Sequence, residues 1–260
     1  MSWIQHHGLR LYAERAGSGP PLLYISGTGG DLRVRPNGFD MPGVDAFDVV
    51  CYDQRGLGQS DRPVGPSTMA DFADDAAAVI DWAGWDRVAL IGVSFGGMVA
   101  QEVLLRHPDR FERAVLACTS SGGDGGASFP LHELSELDPD ERARRMLALL
   151  DTRWSDTANL DPIGRATLAR LQNSPPADVG AIAQLNARRH HDTWARLADV
   201  ACPVLVAAGR FDGIAALANS ERIAQRIPGA RLAVFDGGHL FLSQVPGAAP
   251  AVVEFLSVRF

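Results

Sequence analysis

Apolar runs recur along the first half of the chain, separated by stretches with a helical pattern. Ile4–His6 and Leu9–Ala13 read as a short N-terminal meander. The runs Pro21–Ser26, Phe47–Tyr52, Val88–Val93 and Ala114–Cys118 are dense in Val, Ile and Leu and continuous rather than alternating. That is the pattern of strands buried on both faces of a parallel sheet. Between them, Met69–Trp82 predicts a helix, with Ser67-Thr68 before it and Asp71, Asp74 and Asp75 toward the positive end of its dipole. Phe95–Arg106 predicts a second helix, which starts directly after a strand and stops near His107-Pro108.

The pattern changes after Cys118. Thr119–Ala127 is a Ser/Gly loop, and residues 131–197 are helical, rich in Arg and Leu, with breaks at Pro139, Pro162 and Pro175-Pro176. No buried strand is expected there. Alternation resumes with Pro203–Ala208, a helix over Ala215–Ile227, a strand at Arg231–Phe235 and a closing helix over Ala249–Val258. The expected fold class is α/β: a mostly parallel central sheet flanked by helices, with a helical cap inserted after the sixth strand. Residues 1–124 and 199–260 would form the core and 125–198 the cap.

Composition narrows the chemistry. All 24 basic residues among the 260 are arginines. A chain without lysine has no Schiff-base amine, phosphate-loop lysine or lysine general base. A net charge of −7, with no basic cluster beyond Arg144-Arg145 and Arg188-Arg189, argues against a nucleic-acid partner. No run approaches the roughly 18 apolar residues of a membrane span, and Met1–His7 lacks a signal-peptide pattern, so no membrane partner and a cytoplasmic location are expected. Cys51, Cys118 and Cys202 lie in or beside apolar runs and are expected to be buried and unpaired. In regular structure the side chains of His6-His7, and of His190-His191, would diverge; neither a metal site nor a cofactor is expected.

The sharpest motif is Gly92-Val93-Ser94-Phe95-Gly96, a G-x-S-x-G at the junction of a strand and a helix. Its glycines permit a tight turn that would expose Ser94 in a strained conformation. A serine hydroxyl is a poor nucleophile unless an imidazole takes its proton and a carboxylate orients that imidazole. Two later strands end in suitable residues: Asp212 follows Pro203–Ala208 within Gly209–Gly213, and His239 follows Arg231–Phe235 after Gly237-Gly238. Asp236 and Asp124 are rival carboxylates, Asp236 being so near His239 in sequence that it more readily closes the turn. Acyl transfer also needs two N–H groups aimed at the developing oxyanion. Phe95 would supply one and Thr28, in the loop Ser26–Gly30, the other.

These residues carry a resemblance over nearly the whole chain. With the elbow, the order Ser94, Asp212, His239 and the loop Asp53-Gln54-Arg55-Gly56-Leu57-Gly58-Gln59-Ser60, the sequence resembles the α/β-hydrolase fold. Within it, the chain is similar to small serine hydrolases of the 3-oxoadipate enol-lactonase and esterase type. The resemblance implies that the Asp53–Ser60 loop is structural. One departure stands out: the oxyanion loop commonly begins His-Gly, and here it begins Ser26-Gly27. A serine rather than an aspartate at position 94 argues against the haloalkane dehalogenase and epoxide hydrolase branches.

The expected activity is hydrolysis of a small-molecule carboxylic ester, lactone or thioester through an acyl-enzyme on Ser94. The alternatives are a C–C bond hydrolase, a lyase or cyclase, or a cofactor-free haloperoxidase or perhydrolase using the same triad, and then a non-catalytic receptor. Met98, Phe129, Leu131, Met146, Trp154, Trp194 and Phe241 are the expected pocket walls. Monomer and homodimer both remain open.

Overall fold

A computed structural model describes residues 2–173 and 178–258. The Pro175-Pro176 break lies outside them. Among the described residues, eight strands form one sheet: β1 Ser2–His6, β2 Leu9–Ala16, β3 Pro21–Ile25, β4 Asp48–Tyr52, β5 Val88–Val93, β6 Phe111–Ala117, β7 Val204–Gly209 and β8 Arg231–Phe235. Their order is β1-β2-β4-β3-β5-β6-β7-β8. β1 and β2 pair antiparallel, β2 pairs antiparallel with β4, and every other pairing is parallel.

The helices are α1 Met69–Trp82, α2 Phe95–Arg106, α3 Pro139–Leu150, α4 Pro162–Gln172, α5 Val179–Arg188, α6 Leu217–Arg226, the single turn α7 Phe241–Gln244 and α8 Ala248–Ser257. Thr68 caps α1 through a reciprocal pair with Asp71, which explains that start signal. One sheet face packs on α1, α2 and α6 through residues such as Phe72, Phe95, Val99 and Ile223. The other packs on α8 and the segment 41–47 through Val252, Phe255 and Phe47. Parallel strands covered on both faces need the continuous apolar runs seen in the sequence.

Between β6 and β7 the described residues are helical, and they build a third cluster from Leu134, Leu147, Leu150, Trp154 and Leu160, joined by Ile214 from the core. The Asp53–Ser60 loop is knitted together: the Asp53 carboxylate accepts N–H bonds from Leu32 and Gln59 at 2.7 and 2.8 Å. Arg55 pairs with buried Asp75 at 2.7 Å. All three cysteines are buried and free. The histidine doublet at the β1–β2 turn departs from expectation. His7 takes a left-handed conformation (φ 47°), and its ring meets that of His6 at 4.1 Å instead of diverging. Among the described residues, no group of three metal-ligating side chains forms, and no helix is long and apolar enough to cross a membrane.

Candidate active site

Ser94 sits between β5 and α2 with φ 55° and ψ −114°, a conformation L-residues rarely adopt. The flanking glycines have a steric reason. A Cβ on Gly96 would lie 2.2 Å from the Ile25 carbonyl oxygen, and one on Gly92 would lie 2.4 Å from that of Gly96. The turn therefore brings backbone against backbone, and only hydrogen fits. The Thr119 hydroxyl donates to the Ser94 carbonyl at 2.8 Å, which ties the turn to the end of β6.

Two loops beyond β7 and β8 converge on Ser94. His239 Nε2 lies 2.9 Å from Ser94 Oγ, and His239 Nδ1 lies 2.7 Å from Asp212 Oδ2. The other Asp212 oxygen accepts the N–H groups of Ile214 and Ala215 at 2.8 and 2.9 Å. An ionised carboxylate only accepts, so the proton on His239 belongs on Nδ1, leaving Nε2 to receive the Ser94 proton. The rival acids stand elsewhere. Asp236 is exposed and pairs with Arg210 at 2.9 Å, and Asp124 is exposed in the turn Gly123–Gly125.

Residues 20–244 match the family model described as alpha/beta hydrolase fold. The chain belongs to the α/β-hydrolase fold family. It is 28% identical over 244 residues to a poly(3-hydroxyalkanoate) depolymerase of Ectopseudomonas oleovorans, covering 91% of this chain and 84% of that protein. It is 25% identical over 218 residues to 3-oxoadipate enol-lactonase 2 of Acinetobacter baylyi, covering 83% and 80% respectively. A solved hydrolase from Pseudomonas aeruginosa PA01 superposes with a TM-score of 0.81 at 30% identity, over 99% of this chain and 98% of that one. The protein is a hydrolase.

In this α/β hydrolase the loop Ser26–Gly30 lies against the Ser94 turn, with a Cβ built on Gly27 only 3.3 Å from Ser94 Cβ. The N–H groups of Thr28 and Phe95 have no protein acceptor among the described residues. The Gly29 N–H, by contrast, donates to Gln184 Oε1 at 2.9 Å. Gln54 Nε2 donates to the Ser26 carbonyl at 2.8 Å. Two glutamines thus hold the loop that begins Ser-Gly here. Gln184, on α5, was not picked out by sequence reasoning: nothing local marks a glutamine whose partner lies 155 residues away.

Placement also sorts the expected pocket walls. Trp154 is 3% exposed inside the insertion's own cluster, with its indole N–H on Asp161 at 3.1 Å. Trp194 packs on the sheet-side core under the Arg226 guanidinium. Phe241 is fully buried and stacks on Phe235 at 5.2 Å, and Met98 is buried in the layer of α1 and α2. All four sit in packed layers of the core or of the insertion. Apolarity alone does not say which layer a side chain enters. Phe129, Leu131 and Met146 stay half-buried at the margin of the insertion's cluster.

Proposed function

We propose that this hydrolase cleaves a carboxylic ester, lactone or thioester through an acyl-enzyme on Ser94. One observation carries the reading: the unbroken chain from Asp212 through both nitrogens of His239 to Ser94, at 2.7 and 2.9 Å. The names of the enol-lactonase and the depolymerase add support, since each indicates an ester-type bond. His239 takes the Ser94 proton as Oγ attacks the carbonyl carbon, then passes it to the leaving oxygen or sulfur. Water, deprotonated by His239, releases the acyl group in a second addition. Asp212 fixes the ring and stabilises the imidazolium. Thr28 and Phe95 N–H groups stabilise the negative oxygen of each tetrahedral intermediate. Gln184 occupies the adjacent N–H, which leaves Thr28 as the donor from this loop. Phe129, Leu131 and Met146 are our remaining candidates for the acyl wall, with the insertion as lid.

Comparing wild type with Ser94→Ala on p-nitrophenyl esters, lactones and acyl thioesters tests this. Loss of the nucleophile should lower kcat by about 10⁴-fold or more with the fold intact by circular dichroism. Full retention of esterase activity would end the reading.

A further inference from the structure

A partly open cavity of about 280 Å³ lies between the loop after β6 and the C-terminal end of α5. Its walls include Ser120, Ser128, His132, Arg188, Arg189 and His191, and no carboxylate among the described residues lines it. Arg188 is the key group. Its Nη2 donates to the Phe129 carbonyl at 2.8 Å, and no carboxylate among the described residues pairs with it. By contrast, buried Arg55 pairs with Asp75 and half-buried Arg110 with Asp81. Burial lowers Arg188 to about 10, which leaves it cationic at neutral pH.

His191 is 7% exposed, and its Nε2 has no hydrogen-bond partner among the described residues. The Ser120 and Ser128 hydroxyls share one bond at 2.6 Å, so one of the two protons remains to be rotated toward a guest. Neighbouring carboxylates are engaged elsewhere: Glu102 holds Arg196 at 2.7 Å, and Asp192 accepts the Trp194 N–H at 3.1 Å. A half-buried cation facing a cavity without a counter-charge suits an anion, and guanidinium matches a carboxylate in two-pronged geometry.

We propose that this cavity binds a carboxylate group of a small organic molecule, with Arg188 as its principal partner and Ser120, Ser128 and His191 as secondary ones. Two bonds tie the Ser120 wall to the turn at Ser94 and to α2. Ser120 follows Thr119, which holds the Ser94 carbonyl, and Gln101 of α2 donates to the Ser120 carbonyl at 3.1 Å. The carboxylate comes either from the acyl substrate itself or from a free acid acting as a ligand.

Calorimetry on Ser94→Ala with adipate and with uncharged adipamide tests the site without requiring hydrolysis, so its failure is separable from failure of the serine-hydrolase reading. Adipate should bind at least tenfold more tightly than adipamide and protect Arg188 from phenylglyoxal, mapped by peptide mass spectrometry. Adding Arg188→Gln should abolish the preference, and Arg188→Lys should restore it in part. Monoethyl and diethyl adipate then distinguish the two sources in the Ser94-intact enzyme. A half-ester preference in kcat/KM that Arg188→Gln removes identifies a substrate carboxylate; adipate binding without such a preference identifies a free ligand. Equal binding of adipate and adipamide, or adipate binding that leaves Arg188 unprotected, overturns the proposal, and both readouts hold even if the Arg188 variants fail to fold.

Discussion

Gly29 places an N–H beside that of Thr28, in the loop that faces Ser94, and in the fold this N–H goes to Gln184. Gln184 is fully buried, and its Nε2 has no partner among the described residues, so the bond from Gly29 fixes which way the amide points. Removing the acceptor would leave the Gly29 N–H unsatisfied and the loop free to move. We expect Gln184→Ala to lower kcat about tenfold with a smaller change in KM, and Gln184→Glu, which keeps an acceptor, to retain most activity. Steady-state kinetics on one ester checks both. The three residues we propose as the triad were legible in the sequence because each follows a strand in a glycine turn. Gln184 was not, because a tertiary hydrogen bond leaves no local pattern.

At the scale of elements, the end of α3 braces both loops that carry Asp212 and His239. Gly213 N–H donates to the Leu149 carbonyl at 2.9 Å, and His239 N–H donates to the Leu150 carbonyl at 2.6 Å. Buried Asp151 accepts from Gln244 Nε2 at 3.1 Å, and Gln244 Oε1 accepts the Gly238 N–H at 2.8 Å. The helical insertion therefore supports His239 and Asp212 from behind. Trp154 is the largest side chain of the cluster that anchors α3, so Trp154→Ala should cost about 3–5 kcal/mol there. Hydrogen exchange should show lost protection in α3 and α4 with β5 and α2 unchanged, together with reduced kcat. Strands and long helices were readable from hydrophobic continuity and caps. The single turn α7 and the destinations of Trp154, Trp194 and Phe241 were not, since a four-residue helix has no period and an apolar side chain does not name its layer.

For the whole molecule, His191 makes stability depend on pH. Burial lowers it from 6.5 to about 4, against the raising influence of Glu102, the Ser120 backbone and Asp192, while Arg196 lowers it further. The unfolded chain then binds a proton near pH 6.5 that the folded chain accepts only near 4, so stability falls as pH drops through that window. The loss approaches about 3 kcal/mol. Urea midpoints at pH 7 and pH 4.5 should differ less in His191→Asn than in wild type; equal differences would contradict the assignment. Nothing in the proposed chemistry calls for the lysine this chain lacks: it uses serine, imidazole, carboxylate and peptide N–H.

The proposed chemistry passes through a covalent acyl group on Ser94. Acid quench during turnover of a slow p-nitrophenyl ester, followed by peptide mass spectrometry, measures it directly. The acyl mass should appear on the peptide containing Ser94 and be absent in Ser94→Ala. Turnover with no acyl group on Ser94 at any quench time, together with an active Ser94→Ala enzyme, would contradict it.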